Sequence, residues 1–320
     1  MIINRLLQKK REKEEERRAE ERKMKVWKQR KTLRSSAVFG SKIPFVSEDA
    51  IQIKEFIDGG SFGRVHRGSY QGTPVAVKKM PVGEYPSKSL ELIIPLYLSH
   101  PHIVRMIAVC RKEHEILIAS EYIHGANLEQ ILHTQCLKLN EEDKTFVALE
   151  IGMAVEYIHG RNIIHQDIKP ANILVSERSK TAYLTDWGLA NMKDSLAQFG
   201  ISASGSFCGP RVAGTPLYMS PEVLLHDKRC TAMSDMWSLG LTYLEMFTGT
   251  LPWTLNNPFA VTGVLLKQEP PHALAILQPH LTEIVEPLVK YEPQSRMNAT
   301  ALVTRLKSKV NLVKKYGYEW

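Results

Sequence analysis

Residues 163–175 read IIHQDIKPANILV. Four polar side chains, His165, Asp167, Lys169 and Asn172, fall within eight positions, bracketed by Ile163-Ile164 on one side and Ile173-Leu174-Val175 on the other. A buried strand would have to supply a partner for each of these groups. An ordinary surface loop would need no aliphatic anchors at both ends. Polar side chains on a short loop pinned between two apolar runs mark a working site on a rigid frame.

The surrounding chain has 320 residues, enough for about two domains or lobes. No run of ~18 apolar residues occurs, so no membrane span is expected, and the short apolar patch before the charges of the N-terminus does not read as a secretory signal. Cys110, Cys136, Cys208 and Cys230 are widely spaced and form no CxxC. They read as reduced thiols of a cytoplasmic or nuclear protein with no zinc site. The net charge of +8 is concentrated: residues 1–34 hold 14 of the 42 Lys/Arg and 6 of the 34 Asp/Glu, leaving 28 of each sign in the remainder. The folded body is therefore neutral overall, and specific nucleic-acid binding by it is not expected.

In residues 1–34 opposite charges recur at helical spacing, as in Lys10/Glu14, Arg11/Glu15 and Glu21/Lys25, each pair worth a few tenths of a kcal/mol to a helix. The lack of an apolar heptad argues against a self-sufficient coiled coil. The segment reads as a solvated helix or arm, or as a docking arm for a regulatory partner or an anionic surface. Residues 51–120 are strand-rich: IQIKEFI alternates, VHRGSY follows a glycine-rich bend, and Gln71-Gly72 turns into TPVAVKK. Beyond residue 124 the pattern is helical. Asn140 caps a helix with Glu141, Glu142 and Asp143 in its first turn, ended by Gly160. SDMWSLGLTYLEMF (234–247) is apolar nearly all round, which indicates a helix buried in the second lobe. Residues 300–310 read as a last helix.

Two further motifs carry chemistry. IDGGSFGRV (57–65) lies between strand-like runs, and its glycines let backbone N–H groups approach phosphate oxygens. No helix follows it, so it is not a dinucleotide fingerprint. VAVK (75–78) ends an apolar strand with a lysine, 13 residues after Val65. A phosphate or a carboxylate would serve as its partner.

IDGGSFGRV, VAVK, HQDIKPAN, TDWG, GTPLYMSPE and SDMWSLG occur in the order and rough spacing of the eukaryotic protein kinase domain, which the chain resembles over about residues 50–310. The resemblance implies an α+β, bilobal fold. A small, mostly antiparallel N-lobe sheet with one helix (41–123, with the hinge) would precede a larger helical C-lobe (124–312), with 1–40 as a leader and 313–320 as a tail. It implies a serine/threonine protein kinase using ATP and Mg²⁺. Lys78 would hold the α/β-phosphates and pair with Glu91, while Asp186 and Asn172 would bind Mg²⁺. Asp167 would take or orient the proton of the substrate hydroxyl, and Lys169 would neutralise charge on the transferring group. Ile57, Gly60, Gly63, Val65, Ala76 and Leu174 would enclose the nucleotide, with hinge hydrogen bonds from Glu121 to Ile123 and Ser120 as a small gatekeeper. Lys169 and Thr215 match the Ser/Thr pattern, and Glu222 matches a structural ion pair with Arg296.

The chain departs from the family pattern at several places. Asp58 stands for the first glycine of the phosphate loop and is expected to face outward. Gln166 stands for the arginine before the catalytic aspartate and cannot make a bidentate pair with a phosphate, which gives a non-RD enzyme whose activation-segment phosphorylation is not an obligatory switch. Trp187 stands for the phenylalanine after the metal-binding aspartate, expected beneath His165. Ser220 stands for alanine. Pro95, four residues after Glu91, removes a hydrogen bond from the expected N-lobe helix, which either ends early or holds Glu91 away from Lys78. Asn127 and Ala171, where some relatives carry acids, argue against a strong demand for arginine in the substrate. The competing class is a pseudokinase scaffold acting by partner binding.

Overall fold

A computed structural model describes residues 45–60, 63–81, 94–134, 136–187, 190–192, 215–255 and 260–310. The expectations placed on the charged leader, Glu91, Cys208 and the Gly/Ser-rich stretch 200–209 lie outside the described residues.

The N-terminal part is a six-stranded sheet in the order β1-β5-β6-β4-β3-β2. Its strands are β1 (Phe45–Val46), β2 (Ile51–Gly60), β3 (Gly63–Tyr70), β4 (Thr73–Pro81), β5 (Met106–Arg111) and β6 (Glu115–Glu121). β2 to β6 pair antiparallel, and β1 joins β5 in parallel, Phe45 opposite Val109 and Val46 opposite Cys110. The β3–β4 turn falls at Gln71-Gly72, both with positive φ (50° and 78°), the twist that two-residue hairpins need.

Period-2 alternation gives the sheet two faces. Ile51, Val75, Val77, Ala108, Cys110, Leu117 and Ala119 form a small buried core on one side. Val65 opposite Lys78, and Ala76 opposite Ser120, fall on the other. The alternation read in IQIKEFI does not run the length of β2. Register shifts lie between Ile53 and Phe56 and between Phe56 and Asp58, so Ile51 is buried while Phe56 is 60% and Ile57 44% exposed. The extra residues of these bulges turn the second half of the strand out of phase with the core.

Around Pro95 the chain forms a 3-10 turn, Ile94–Tyr97, in which the Leu98 N–H donates to the Pro95 carbonyl at 3.4 Å. A proline can open such a turn because it needs no donor there. Ile94, Leu98 and Ile103 pack into the core of the helical lobe. The loop that follows is stitched to that lobe: Val104 N–H donates to the Leu184 carbonyl, and Leu184 N–H to the His102 carbonyl.

The C-terminal part is helical: α1 (Leu128–Thr134), α2 (Glu141–His159), α3 (Pro221–Leu224), α4 (Ala232–Thr248), α5 (Val261–Leu266), α6 (Pro279–Val285) and α7 (Ala299–Lys307). α2 begins with the reciprocal Asn140–Asp143 capping box and α4 with Thr231–Ser234. Each box satisfies backbone N–H groups that a helix start leaves open. α4 is buried almost throughout and ends at Gly249 with φ 71°. Strands β7 (Gly125–Asn127), β9 (Ile173–Ser176) and β10 (Ala182–Leu184) form a three-stranded sheet, and β8 (Ile163–Ile164) pairs with β11 (Asn191–Met192). No helix among the described residues is long and apolar enough to cross a membrane.

Candidate active site

The loop 165–172 is anchored at both ends, as its aliphatic brackets require. Ile163, Ile164, Ile173 and Val175 are buried. Between them the backbone is held from beneath by one carboxylate. Asp235, near the start of α4 and 1% exposed, accepts from the Gln166 N–H on Oδ1 and from the His165 N–H on Oδ2, both at 2.9 Å. His159 Nε2 lies 2.9 Å from the same Oδ2. Gln166 sits in the left-handed region at φ 69°, costly for a residue with a Cβ unless its surroundings impose it.

His165 is fully buried. Its Nε2 donates to the Thr185 carbonyl at 3.0 Å, and its Nδ1 accepts from the Asp167 N–H at 3.4 Å. These bonds fix the neutral Nε2–H tautomer. Trp187 packs against it, ring centroids 4.9 Å apart. His165 thus joins the loop to the TDWG strand end as a structural member.

The polar side chains of the loop bond to one another. Asp167 Oδ2 is 2.9 Å from Lys169 Nζ and 3.0 Å from Asn172 Nδ2, which also donates to the Asp167 carbonyl at 2.7 Å. Lys169 Nζ donates further to Thr215 Oγ1 at 2.7 Å. Asn172 directs its amide nitrogen at two acceptors of Asp167, which leaves its acceptor oxygen Oδ1 on the other side of the amide.

Asp186 reaches the same place through sheet pairing. Ile173 on β9 faces Leu184 on β10, and the Thr185 N–H donates to the Asn172 carbonyl at 3.0 Å. Asp186, at φ 64°, follows directly, and its Oδ1 is 2.9 Å from Lys78 Nζ on β4. Lys78, Asp167, Lys169, Asn172 and Asp186 are brought together. Glu91, expected beside Lys78, is outside the described residues.

The expected nucleotide-enclosing residues divide by location. Val65, Ala76 and Ser120 share the Lys78 face of the sheet and are half-buried. Leu174 lies between the buried Ile173 and Val175, so alternation turns it to the opposite, half-exposed side of β9. Ile57 is exposed. Gly63 has φ 133°, and a Cβ there would come within 2.4 Å of the Lys79 carbonyl oxygen, so only glycine fits at the start of β3, where Gly63 pairs with Gly60 at the end of β2. Asp58 is exposed, its carboxylate accepting from the neighbouring Gly59 N–H at 2.7 Å. At the hinge the Glu121 N–H is taken by the Arg105 carbonyl, and Glu121 Oε1 accepts from the Arg105 N–H, both at 2.9 Å. The half-buried Tyr122 and Ile123 follow.

Glu222 and Arg296 form a buried bidentate pair, with both N···O distances 2.8 Å. Burial alone would raise the Glu222 carboxyl, but the hydrogen bonds and charge of Arg296 outweigh it and hold the group below its ordinary range. The sequence reading passed over Asp235, one of two carboxylates, with Glu245, in the largely apolar stretch 234–247, although a carboxylate on a helix buried this completely is itself a signal that donors from elsewhere in the chain converge on it.

A protein kinase domain family model matches residues 51–306. Among curated proteins, the chain is 30% identical to the serine/threonine-protein kinase CTR1 of Arabidopsis thaliana, covering 80% of this chain and 31% of that protein. It is 29% identical to the serine/threonine-protein kinase STY46 of Arabidopsis thaliana, covering 82% and 45%. To serine/threonine-protein kinase 36 of Mus musculus it is 30% identical, covering 77% and 18%. The chain therefore spans less than half the length of each of these relatives. With the bilobal fold and the ordered motifs, these matches mean that the chain belongs to the eukaryotic protein kinase superfamily and carries a serine/threonine-type kinase domain.

Proposed function

We propose that the protein transfers the γ-phosphoryl group of ATP, as its Mg²⁺ complex, to serine or threonine hydroxyls of protein substrates. The observation that carries this is the convergence of Asp167, Lys169 and Asn172 with Asp186 and Lys78 across the β9–β10 pairing. The donor set suits the cofactor. The Asp186 carboxylate and the outward Asn172 amide oxygen are hard oxygen ligands, and Mg²⁺ is ordinarily held by one or two such groups plus substrate phosphates. When bound, Mg²⁺ would neutralise charge on the phosphate oxygens.

The chain's own residues supply the rest. Lys78, paired with Asp186, offers a cation to the phosphates. Asp167, oriented by Asn172 and Lys169, accepts the proton of the attacking hydroxyl, while Lys169 offsets negative charge on the transferring group. Lys169 is in turn fixed by Thr215, at the start of the segment over which a substrate chain would lie. Val65, Ala76, Leu174 and the hinge residues form the adenine slot, with Ser120 leaving room behind it.

Gln166 in place of arginine supports an enzyme that does not require a phosphate on the activation segment. The basic leader supports a docking role toward a regulatory partner, and the cysteine spacing a cytoplasmic or nuclear location. Incubating wild type and Asp167→Asn with Mg²⁺-ATP and dephosphorylated casein, then mapping phosphosites by mass spectrometry, tests the reading. Phosphoserine or phosphothreonine with wild type alone is expected. Signal in neither sample would favour the scaffold alternative and overturn the catalytic one.

A further inference from the structure

Beside the proposed substrate segment lies a buried carboxylate that the catalytic reading does not use. Glu245 on α4 is 0% exposed. Its Oε2 accepts from the Tyr218 hydroxyl at 2.5 Å, and its Oε1 from His133 Nε2 at 2.7 Å. Three elements meet there: α1, α4 and the turn Pro216–Tyr218. That turn begins next to Thr215, the acceptor of Lys169, and is held further by Trp253 Nε1 on the Leu217 carbonyl (2.9 Å) and Ser238 Oγ on the Tyr218 carbonyl (2.8 Å). Tyr218 is buried, so the network reaches solvent through His133, whose side chain is 38% exposed.

Among the described residues, the titratable groups that act on Glu245 are Tyr218 on the turn and His133 and Glu129 on α1. Burial raises the Glu245 carboxyl above its ordinary value of 4.5, and Glu129 adds to this, while the Tyr218 and His133 hydrogen bonds and the His133 charge oppose it. Burial and the neighbouring carboxylate push Tyr218 far up, so its hydroxyl stays a donor.

We propose that His133, Glu245 and Tyr218 are positioning residues: a proton-dependent clamp that sets residues 215–220 against Lys169 and so governs productive binding of the protein substrate. This deepens the kinase reading of the site and rests on it. With Glu245 ionised, both oxygens accept and both donors are satisfied. Protonation turns one oxygen into a donor: toward His133 as imidazolium it meets a donor, and toward Tyr218 the hydroxyl has to turn round to accept, so the two charge-assisted bonds that tie the turn to α1 and α4 weaken. Because its folded value is raised, this group favours the fold fully below its unfolded value and loses that contribution as pH rises through the folded one. Acid therefore opens the clamp without unfolding the protein through Glu245.

The test compares full-length wild type, His133→Gln, His133→Arg and Tyr218→Phe from pH 5 to 8. One readout is kcat/KM for dephosphorylated casein with KM for ATP. The second is hydrogen exchange over residues 216–224, corrected for intrinsic rates. Glutamine keeps a donor but removes the charge. Its acid limb should move up by ~1 pH unit, the size of one close opposite charge, with casein turnover tenfold down near the limb, ATP KM unchanged and exchange rising over the same pH range. Arginine keeps the charge and should leave the limb at or below the wild-type position. Tyr218→Phe, which preserves the packed ring, should raise exchange in the turn at every pH. A pH-independent scaling of activity in His133→Gln, or an equal change in ATP KM, overturns the clamp. If wild type transfers no phosphate, the kinase reading fails and exchange alone decides the clamp: a displaced profile in His133→Gln supports it, an undisplaced one overturns it.

Discussion

Replacing Asp235 with asparagine should displace the loop 165–172 without altering Asp167, Lys169 or Asn172 themselves. Three donors converge on this carboxylate: the Gln166 N–H on Oδ1, and the His165 N–H and His159 Nε2 on Oδ2. Asparagine has one acceptor oxygen. Set at the Oδ2 position, it keeps two donors and turns its NH₂ toward the Gln166 N–H. A buried donor left facing a donor costs about 1–3 kcal/mol, and each surviving bond loses its charged acceptor at about 1 kcal/mol. Relief of the buried charge offsets part of this, giving a net loss on the order of 2–4 kcal/mol. The freed Gln166 would also leave its φ of 69°, which costs about 1 kcal/mol or more to maintain. Asp167, the next residue, would move with it, and displacements of about 1 Å can cost ~100-fold in rate. Urea unfolding followed by tryptophan fluorescence reads the first quantity. Initial rates of casein phosphorylation, at a temperature where the variant is fully folded, read the second. Stability within about 0.5 kcal/mol of wild type, together with activity within twofold, would refute the idea that this carboxylate sets the loop.

Arg296→Met should destabilise by about 3–5 kcal/mol, because it strands a buried Glu222; adding Glu222→Gln should recover part of the loss, and urea midpoints measure both. Gly240→Ala should cost about 1–3 kcal/mol, since the added Cβ would lie 2.7 Å from Leu288 Cβ and Val289 Cγ1; thermal unfolding reads it. His100 is lowered to about 4 by burial, then by the charges of His102 and Arg161. Its contribution to stability is therefore present above pH 6.5 and lost as pH falls toward 4, and His100→Asn should flatten that part of a stability–pH profile from chemical denaturation. Phosphatase treatment of purified protein should leave casein activity largely intact, as Gln166 has no charge to offer a phosphate; abolished activity would count against that reading.

Much of the fold was legible because the informative residues are local. Asn140, Glu141 to Asp143 and Gly160 bound α2 by capping chemistry, and Gln71-Gly72 can turn only where positive φ is cheap. The polar cluster 165–172 was legible because four hydrophilic side chains between aliphatic runs have few physical explanations. Long-range partnerships were not. Nothing within a few residues of Asp235 announces that its acceptors serve a loop seventy positions earlier, and Glu245 likewise meets His133 and Tyr218 from distant segments. The bulges in β2 escaped notice because IQIKEFI has correct alternation for an unbroken strand; the partner strand, not β2 itself, decides where the register slips. Pairing of Phe45 and Val46 with β5 is also a tertiary choice, made by two residues too few to carry a pattern.

β2 is the outermost strand on one rim of the six-stranded sheet, and β1 closes the other with only two residues. A ten-residue border strand with regular spacing would be a template for the same strand of another molecule. Its two register breaks, the first of them holding the exposed Lys54 and Glu55, interrupt the ladder that a second copy would have to match. The irregularity that spoils the hydrophobic rhythm of this strand thus opposes edge-to-edge pairing between copies along β2, and a variant that straightened it would be expected to self-associate more readily at the concentrations used for crystallisation or spectroscopy.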